Sequence, residues 1–134
     1  MNTNSQNTVN QIYNILKYIF VIVPIVAGLD KFTNILTQWD QYINPSIADM
    51  LPFSAPVFMT IIGVVEIIAG VIVLKNSYIG GMIVAAWLAL VAISMLISGY
   101  ADIAVRDLVM ATTAFSMAKL SQTVTQNKVN YESI

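Results

Sequence analysis

Histidine and cysteine are both absent from the 134-residue chain. Any chemistry it performs therefore falls to carboxylates, ammonium and guanidinium groups, tyrosine and tryptophan. One carboxylate stands out. Glu66 lies in the run GVVEIIAG, inside an apolar segment of transmembrane length, ten residues after Pro56. At about 1.5 Å of rise per residue this places it ~15 Å in, near the middle of a ~30 Å hydrocarbon layer. An acidic side chain there costs roughly 3 kcal/mol even on insertion scales, so it has to face a protein interior, hold a proton, or find a cation. Gly63 and Gly70 lie three residues before it and four after, on the same helical face, and glycines there let a second helix approach closely. The cations within reach are Lys31, at the end of the first helix, and Arg106, about 6 Å below the outer end of the last. Trp87, in the middle of the third apolar run, brings an indole N–H that needs an acceptor at a depth similar to that of Glu66. Glu66, Lys31, Arg106 and Trp87 are thus the candidate cofactor-binding residues. Glu66 reads either as a proton-, ion- or quinone-handling group or as a structural carboxyl that fixes helix order, and no catalytic residue or metal site is assigned.

The elements that must position these groups follow from composition. Hydrophobic residues make up 57% of the chain and charged residues 10%, against roughly 25% charged in a soluble domain. The expectation is an all-α integral membrane four-helix bundle, a single domain over 1–134, with spans near 12–32, 55–74, 78–98 and 103–121. Between the first two spans, Ile35, Leu36, Trp39, Tyr42 and Ile43 recur at helical spacing, so a short interfacial helical segment is expected there, with Trp39 and Tyr42 at headgroup level. Asn44 precedes Pro45 as a cap, and Ser54 is expected to cap the second span. Lys75, Asn76 and Ser77 make a tight reversal, Gly99 closes the third helix, and Asp102 is expected to cap the fourth. Gly81, Ala85, Ala89 and Ala92 form a stripe for close packing, as do Ala111, Ala114 and Ala118. Asp30 and Lys31 are adjacent and point apart around the helix, so one of them is expected to face inward. Residues 1–10 read as a free polar tail and residues 122–134 as a frayed end.

Lys17, Lys75, Lys119 and Lys128 fall at one end of these helices, with only Lys31 and Arg106 at the other. The positive-inside rule then makes the first end cytoplasmic, along with both termini. The absence of thiols and imidazoles excludes a CxxC relay, an iron–sulfur cluster, a thiolate zinc site, bis-histidine haem and a Ser-His-Asp triad. Neither GxxxxGK nor GxGxxG occurs, so nucleotide-driven work is not expected. A net charge of −1 offers nucleic acid nothing to hold.

The runs GLDKF, GVVEIIAGVIVL and RDLVMATTAFSMA together resemble the DoxX-like family of small four-helix bacterial membrane proteins, over roughly residues 17–120. The family's glycine and lysine three apart fall on Gly28 and Lys31, its glycine, glutamate, glycine pattern on Gly63, Glu66 and Gly70, and its acidic start to the last helix on Asp107. Many relatives carry an arginine early in the first helix, where this chain has only Lys17. The resemblance implies an inner-membrane subunit of a redox or quinone-linked assembly, with a protein partner in a membrane complex and quinone as the cofactor to consider. A non-catalytic scaffold or assembly subunit is the alternative, and a small ion or solute carrier titrating Glu66 is a third. The lipid bilayer is the one partner composition itself implies, and a homo-oligomer stays open.

Overall fold

The computed structural model describes residues 2–133. These form α1 (Thr3–Thr33), a single 3-10 turn (Trp39–Tyr42), α2 (Pro45–Met50), α3 (Ala55–Lys75), α4 (Ser77–Ile97) and α5 (Ala101–Glu132). No strand occurs among the described residues. Each boundary has a local cause. Asn44 accepts the backbone N–H of Ser46 and starts α2 with Pro45 in its first turn. Asn76 ends α3 and also caps α4, its side chain accepting the N–H of Ile79. Gly99, at φ 88°, takes the left-handed conformation that turns the chain between α4 and α5. Ser54 and Asp102 do not cap as expected. Ser54 precedes α3 without a side-chain cap bond, and α5 starts earlier, after Tyr100, which puts Asp102 in its first turn.

Four long helices pack in antiparallel neighbours. The closest pairs are α1 with α3 and α4 with α5, joined by contacts of α3 with α4 and of α1 with α5. The α1–α3 seam is set by glycine. A Cβ on Gly28 would stand 2.5 Å from the carbonyl oxygen of Gly63, and one on Gly63 would stand 2.6 Å from that of Gly28. Backbone thus meets backbone, and Gly70 continues the seam against Val21 and Ile25. The largest buried cluster joins Phe20, Val21, Ala69, Val73, Val84, Ala114 and Met117. Around it the surface is apolar: Ile22, Val26, Ile68, Leu90, Ile93 and Val109 are all exposed.

Three helices, α1, α3 and α4, are long and apolar enough to cross a membrane. The fourth expected span, 103–121, is not among them. That stretch lies within α5, whose Arg106, Asp107 and Lys119 and whose hydroxyl groups lower its mean hydropathy, although its Ala104, Asp107, Ala111, Ala114 and Ala118 are buried. Thr112, Thr113 and Ser116 hydrogen-bond the carbonyls four residues back, which hides their polarity within the helix.

Both terminal expectations need correction. Residues 3–10 are the first turns of α1, not a free tail, and residues 122–132 continue α5 rather than fraying. Asn2 caps α1 by accepting the N–H of Ser5 at 2.8 Å. The two extensions project past the α3–α4 turn and lie together, with the Tyr131 hydroxyl donating to Gln6 Oε1 at 2.8 Å. A polar helix too short to stand alone in water is marginal, and a neighbour stabilises it.

Candidate functional site

α1 delivers Asp30 and Lys31 at its last turn, where both are buried. Lys31 is the one that faces inward, toward Glu66 of α3, and Asp30 is buried because the chain beyond the helix folds back to cover it. Asn34 takes the left-handed conformation (φ 51°) and donates its N–H to the Asp30 carbonyl. This reversal brings the N–H groups of Ile35 and Leu36 to Asp30 Oδ1, at 2.9 and 3.0 Å. Thr33 Oγ1 donates to the same oxygen, and Trp39 Nε1 donates to Oδ2 at 2.7 Å. The Asp30 carboxylate is thus met by neutral donors rather than by a cation, the usual way to keep a buried charge without an ion partner.

Lys31 turns the other way, into the α1–α3 seam. Its Nζ is 2.6 Å from Glu66 Oε2, with side-chain exposures of 5% for Lys31 and 16% for Glu66. The close approach of Gly28 and Gly63 brings the two helices near enough for the pair to form, one turn either side of the glycine contact. The same ammonium lies 3.8 Å from the centroid of the Trp39 ring, well inside cation–π range. Trp39 therefore holds Asp30 with its N–H edge and Lys31 with its face. It sits at the start of the 3-10 turn, and Tyr42 at the end of that turn packs edge-to-face on Tyr100 at 5.1 Å. The Tyr100 hydroxyl donates to the Gln41 carbonyl at 3.3 Å. The connection after α1 is thus a strap, fixed at Trp39 to α1 and at Tyr42 to the α4–α5 turn.

Of the four candidates named from sequence, the fold brings Lys31 and Glu66 together and leaves the other two apart from them. Arg106 pairs with its neighbour Asp107, Nη2 to Oδ1 at 3.0 Å, its own side chain 63% exposed and that of Asp107 4% exposed. The guanidinium thus turns to the outside of α5 and reaches back to a carboxylate on the inner face. Trp87 Nε1 is buried without a hydrogen-bond partner among the described residues, so it makes no bond to Glu66. Asp30, Trp39 and Asp107 belong to these charge arrangements and were not among the candidates. The signals were present but thin: two adjacent charges closing an apolar helix, and one tryptophan in a polar connection.

What the arrangement can do chemically is limited and specific. Glu66 Oε2 carries the ion pair, while Oε1 has no hydrogen bond among the described residues. The ammonium, with three protons, spends one on Oε2. A donor and an acceptor thus stand side by side, under an aromatic cover. No family model matches this chain, and neither a characterised protein nor a solved structure matches it.

Proposed function

We propose that this chain is a DoxX-like subunit of a redox or quinone-linked assembly in the bacterial inner membrane, with α1, α3, α4 and the 103–121 part of α5 as its four spans. Both termini are then cytoplasmic, and Lys31 and Glu66 are the groups that engage the ligand. The observation that carries this reading is the Lys31–Glu66 pair itself, held at 2.6 Å between apolar helices beneath Trp39. The donor set fits a quinone headgroup. Lys31 has protons left to hydrogen-bond a carbonyl oxygen, and the free Oε1 of Glu66 is placed to accept a hydroxyl proton. A quinone would supply the two-electron chemistry that no side-chain pair here provides. Residues of this chain would hold the ligand and manage its protons, and Trp39 would have to swing aside or stack on it.

One observation favours the scaffold reading as the second choice. Glu66 already has its cation, and neither of the cavities at the opposite end of the helices touches it. A complete buried pair can simply fix how α1 meets α3. Glu66→Gln separates the two readings, because the amide keeps the shape and a hydrogen bond to Lys31 but cannot exchange a proton. The ligand-handling role predicts a variant that folds and assembles in the membrane yet loses quinone-dependent turnover with its partners present. Full activity in a normally assembled variant would leave the scaffold reading in its place.

A further inference from the structure

At the end of the molecule away from Trp39, α1, the α3–α4 turn and α5 enclose a half-open cavity of about 610 Å³. Lys17 comes to it from α1 and Lys75 from the last turn of α3. Tyr13, Ser77, Ser121 and Gln126 supply hydroxyl and amide groups, and no carboxylate lines it. We propose that this cavity binds the phosphate of an anionic lipid headgroup.

Three observations carry the proposal. The first is charge. The two cations at the Trp39 end each have a carboxylate, Lys31 with Glu66 and Arg106 with Asp107, whereas Lys17 and Lys75 form no ion pair among the described residues. Two ammonium groups converging on one cavity repel each other, and an anion between them removes that repulsion. The second is shape and donor chemistry. α4 begins at Ser77 on the cavity wall, beside the end of α3 at Lys75, so the two opposed dipole ends offset each other and the lysines carry the positive potential. The Tyr13 hydroxyl donates to Ser77 Oγ at 2.7 Å, and Ser77 in turn donates to the Val73 carbonyl. That relay uses the Tyr13 and Ser77 protons inside the protein, as Ser121 uses its own on the Ala118 carbonyl. These hydroxyls therefore shape the floor across α1 and α4 and leave the two ammonium groups and the Gln126 amide as donors. The cavity holds many times the roughly 30 Å³ share of a single water, enough for a phosphoglycerol group. The third is position. Lys75 ends the apolar run of α3 and Lys17 lies within that of α1, so in a bilayer the cavity sits at the boundary where phosphates are. The exposed Ile79 on its rim offers an apolar edge to the acyl chains. Basic pockets between membrane helices on the cytoplasmic side take anionic headgroups for these reasons.

The test uses the full chain in a zwitterionic detergent, with phosphatidylglycerol, phosphatidylcholine or inorganic phosphate added, read by native mass spectrometry and by thermal stability. The proposal expects phosphatidylglycerol to be retained and protective, with phosphatidylcholine and inorganic phosphate ineffective at matched concentration. Lys17→Gln with Lys75→Gln should weaken retention by about 25-fold, at roughly fivefold for each lysine. Lys119→Gln with Lys128→Gln, which removes two basic side chains that do not line the cavity, should leave retention unchanged. The conservative pair Lys17→Arg with Lys75→Arg should keep it. Equal loss in the two glutamine pairs would overturn the proposal in favour of diffuse surface attraction. Equal protection by inorganic phosphate would overturn the lipid as the ligand, and undiminished retention in Lys17→Gln/Lys75→Gln would overturn the site.

Discussion

The two ends of this helical array treat charge in opposite ways. At the Trp39 end every buried charge is answered by the protein: Lys31 by Glu66, Asp107 by Arg106, and Asp30 by backbone N–H groups and an indole. A strap closes over the result. At the Lys75 end the lysines have no carboxylate partners among the described residues, and a cavity stays open between them. The difference follows from dielectric environment. A charge inside the bundle that lacks a partner costs several kcal/mol, so it is kept only when paired, whereas a lysine at the rim is solvated and free to meet an external anion. One end is therefore organised around internal electrostatics and the other around contact with something outside the chain.

The largest effect that would break this contrast belongs to Lys31. Lys31→Ala strips Glu66 of its cation and Trp39 of the ammonium on its face, and it should destabilise the protein by about 3–5 kcal/mol in detergent-unfolding titrations. Combining it with Glu66→Ala should recover part of that loss, because no carboxylate is then left without its partner. Arg106→Ala should cost about 2 kcal/mol. It removes charge-assisted bonds to Asp107, but its guanidinium is largely exposed and water takes its place. If Lys31→Ala and Arg106→Ala cost the same small amount, the Trp39 end is not held by its ion pairs.

How much of this was legible in the sequence depended on whether the signal was periodic. The apolar runs marked α3 and α4 to within a residue or two, and the three- and four-residue spacing of Gly63, Glu66 and Gly70 marked a face that does meet α1. Asn76 as a reversal and Asn44 as a cap could be read from residue type alone. Lys31 and Arg106 were equivalent on paper, because which cation reaches Glu66 depends on side-chain direction at the α1–α3 seam and on α5. The fate of Asp30 was not legible. Its donors come from the backbone of Ile35 and Leu36, and backbone N–H groups leave no mark in a hydropathy pattern. The helical extensions were hidden for a similar reason. Asn, Gln and Thr look like linker composition, and what orders them is a partner segment more than a hundred residues away, through Gln6 and Tyr131.

Single hydrogen bonds at the two ends give the intermediate test. Trp39→Phe keeps a ring over Lys31 but removes the N–H that Asp30 accepts, and the loss of a bond to a buried charge should cost about 2 kcal/mol. Tyr13→Phe removes the neutral bond to Ser77 at the other end and should cost about 1 kcal/mol. Thermal unfolding of both variants in one detergent should therefore rank Trp39→Phe as the more damaging. A reversed ranking would mean that the strap contributes less to holding the structure than the floor of the cavity does, and the picture of a closed end and an open end would have to be exchanged.

The smallest effect is expected at Lys75, and it sharpens the comparison because the residue type is the same as at Lys31. Lys75 lies in the last turn of α3, where a cation gains roughly 0.3–1 kcal/mol from the helix dipole. Against this stands the repulsion of Lys17 across the cavity, which its removal would relieve, and an exposed lysine away from packed features changes stability by no more than about 0.5 kcal/mol. Lys75→Ala should consequently unfold at nearly the same denaturant concentration as the parent when no anionic lipid is added, and removing Lys17 as well should change little more. Measured side by side with Lys31→Ala, the pair reads out what separates the two ends: the same ammonium group is indispensable where the bundle encloses it and dispensable where it faces outward. A loss at Lys75 approaching that at Lys31 would mean that this lysine also has a partner within the chain, and that the Lys75 end is as closed as the other.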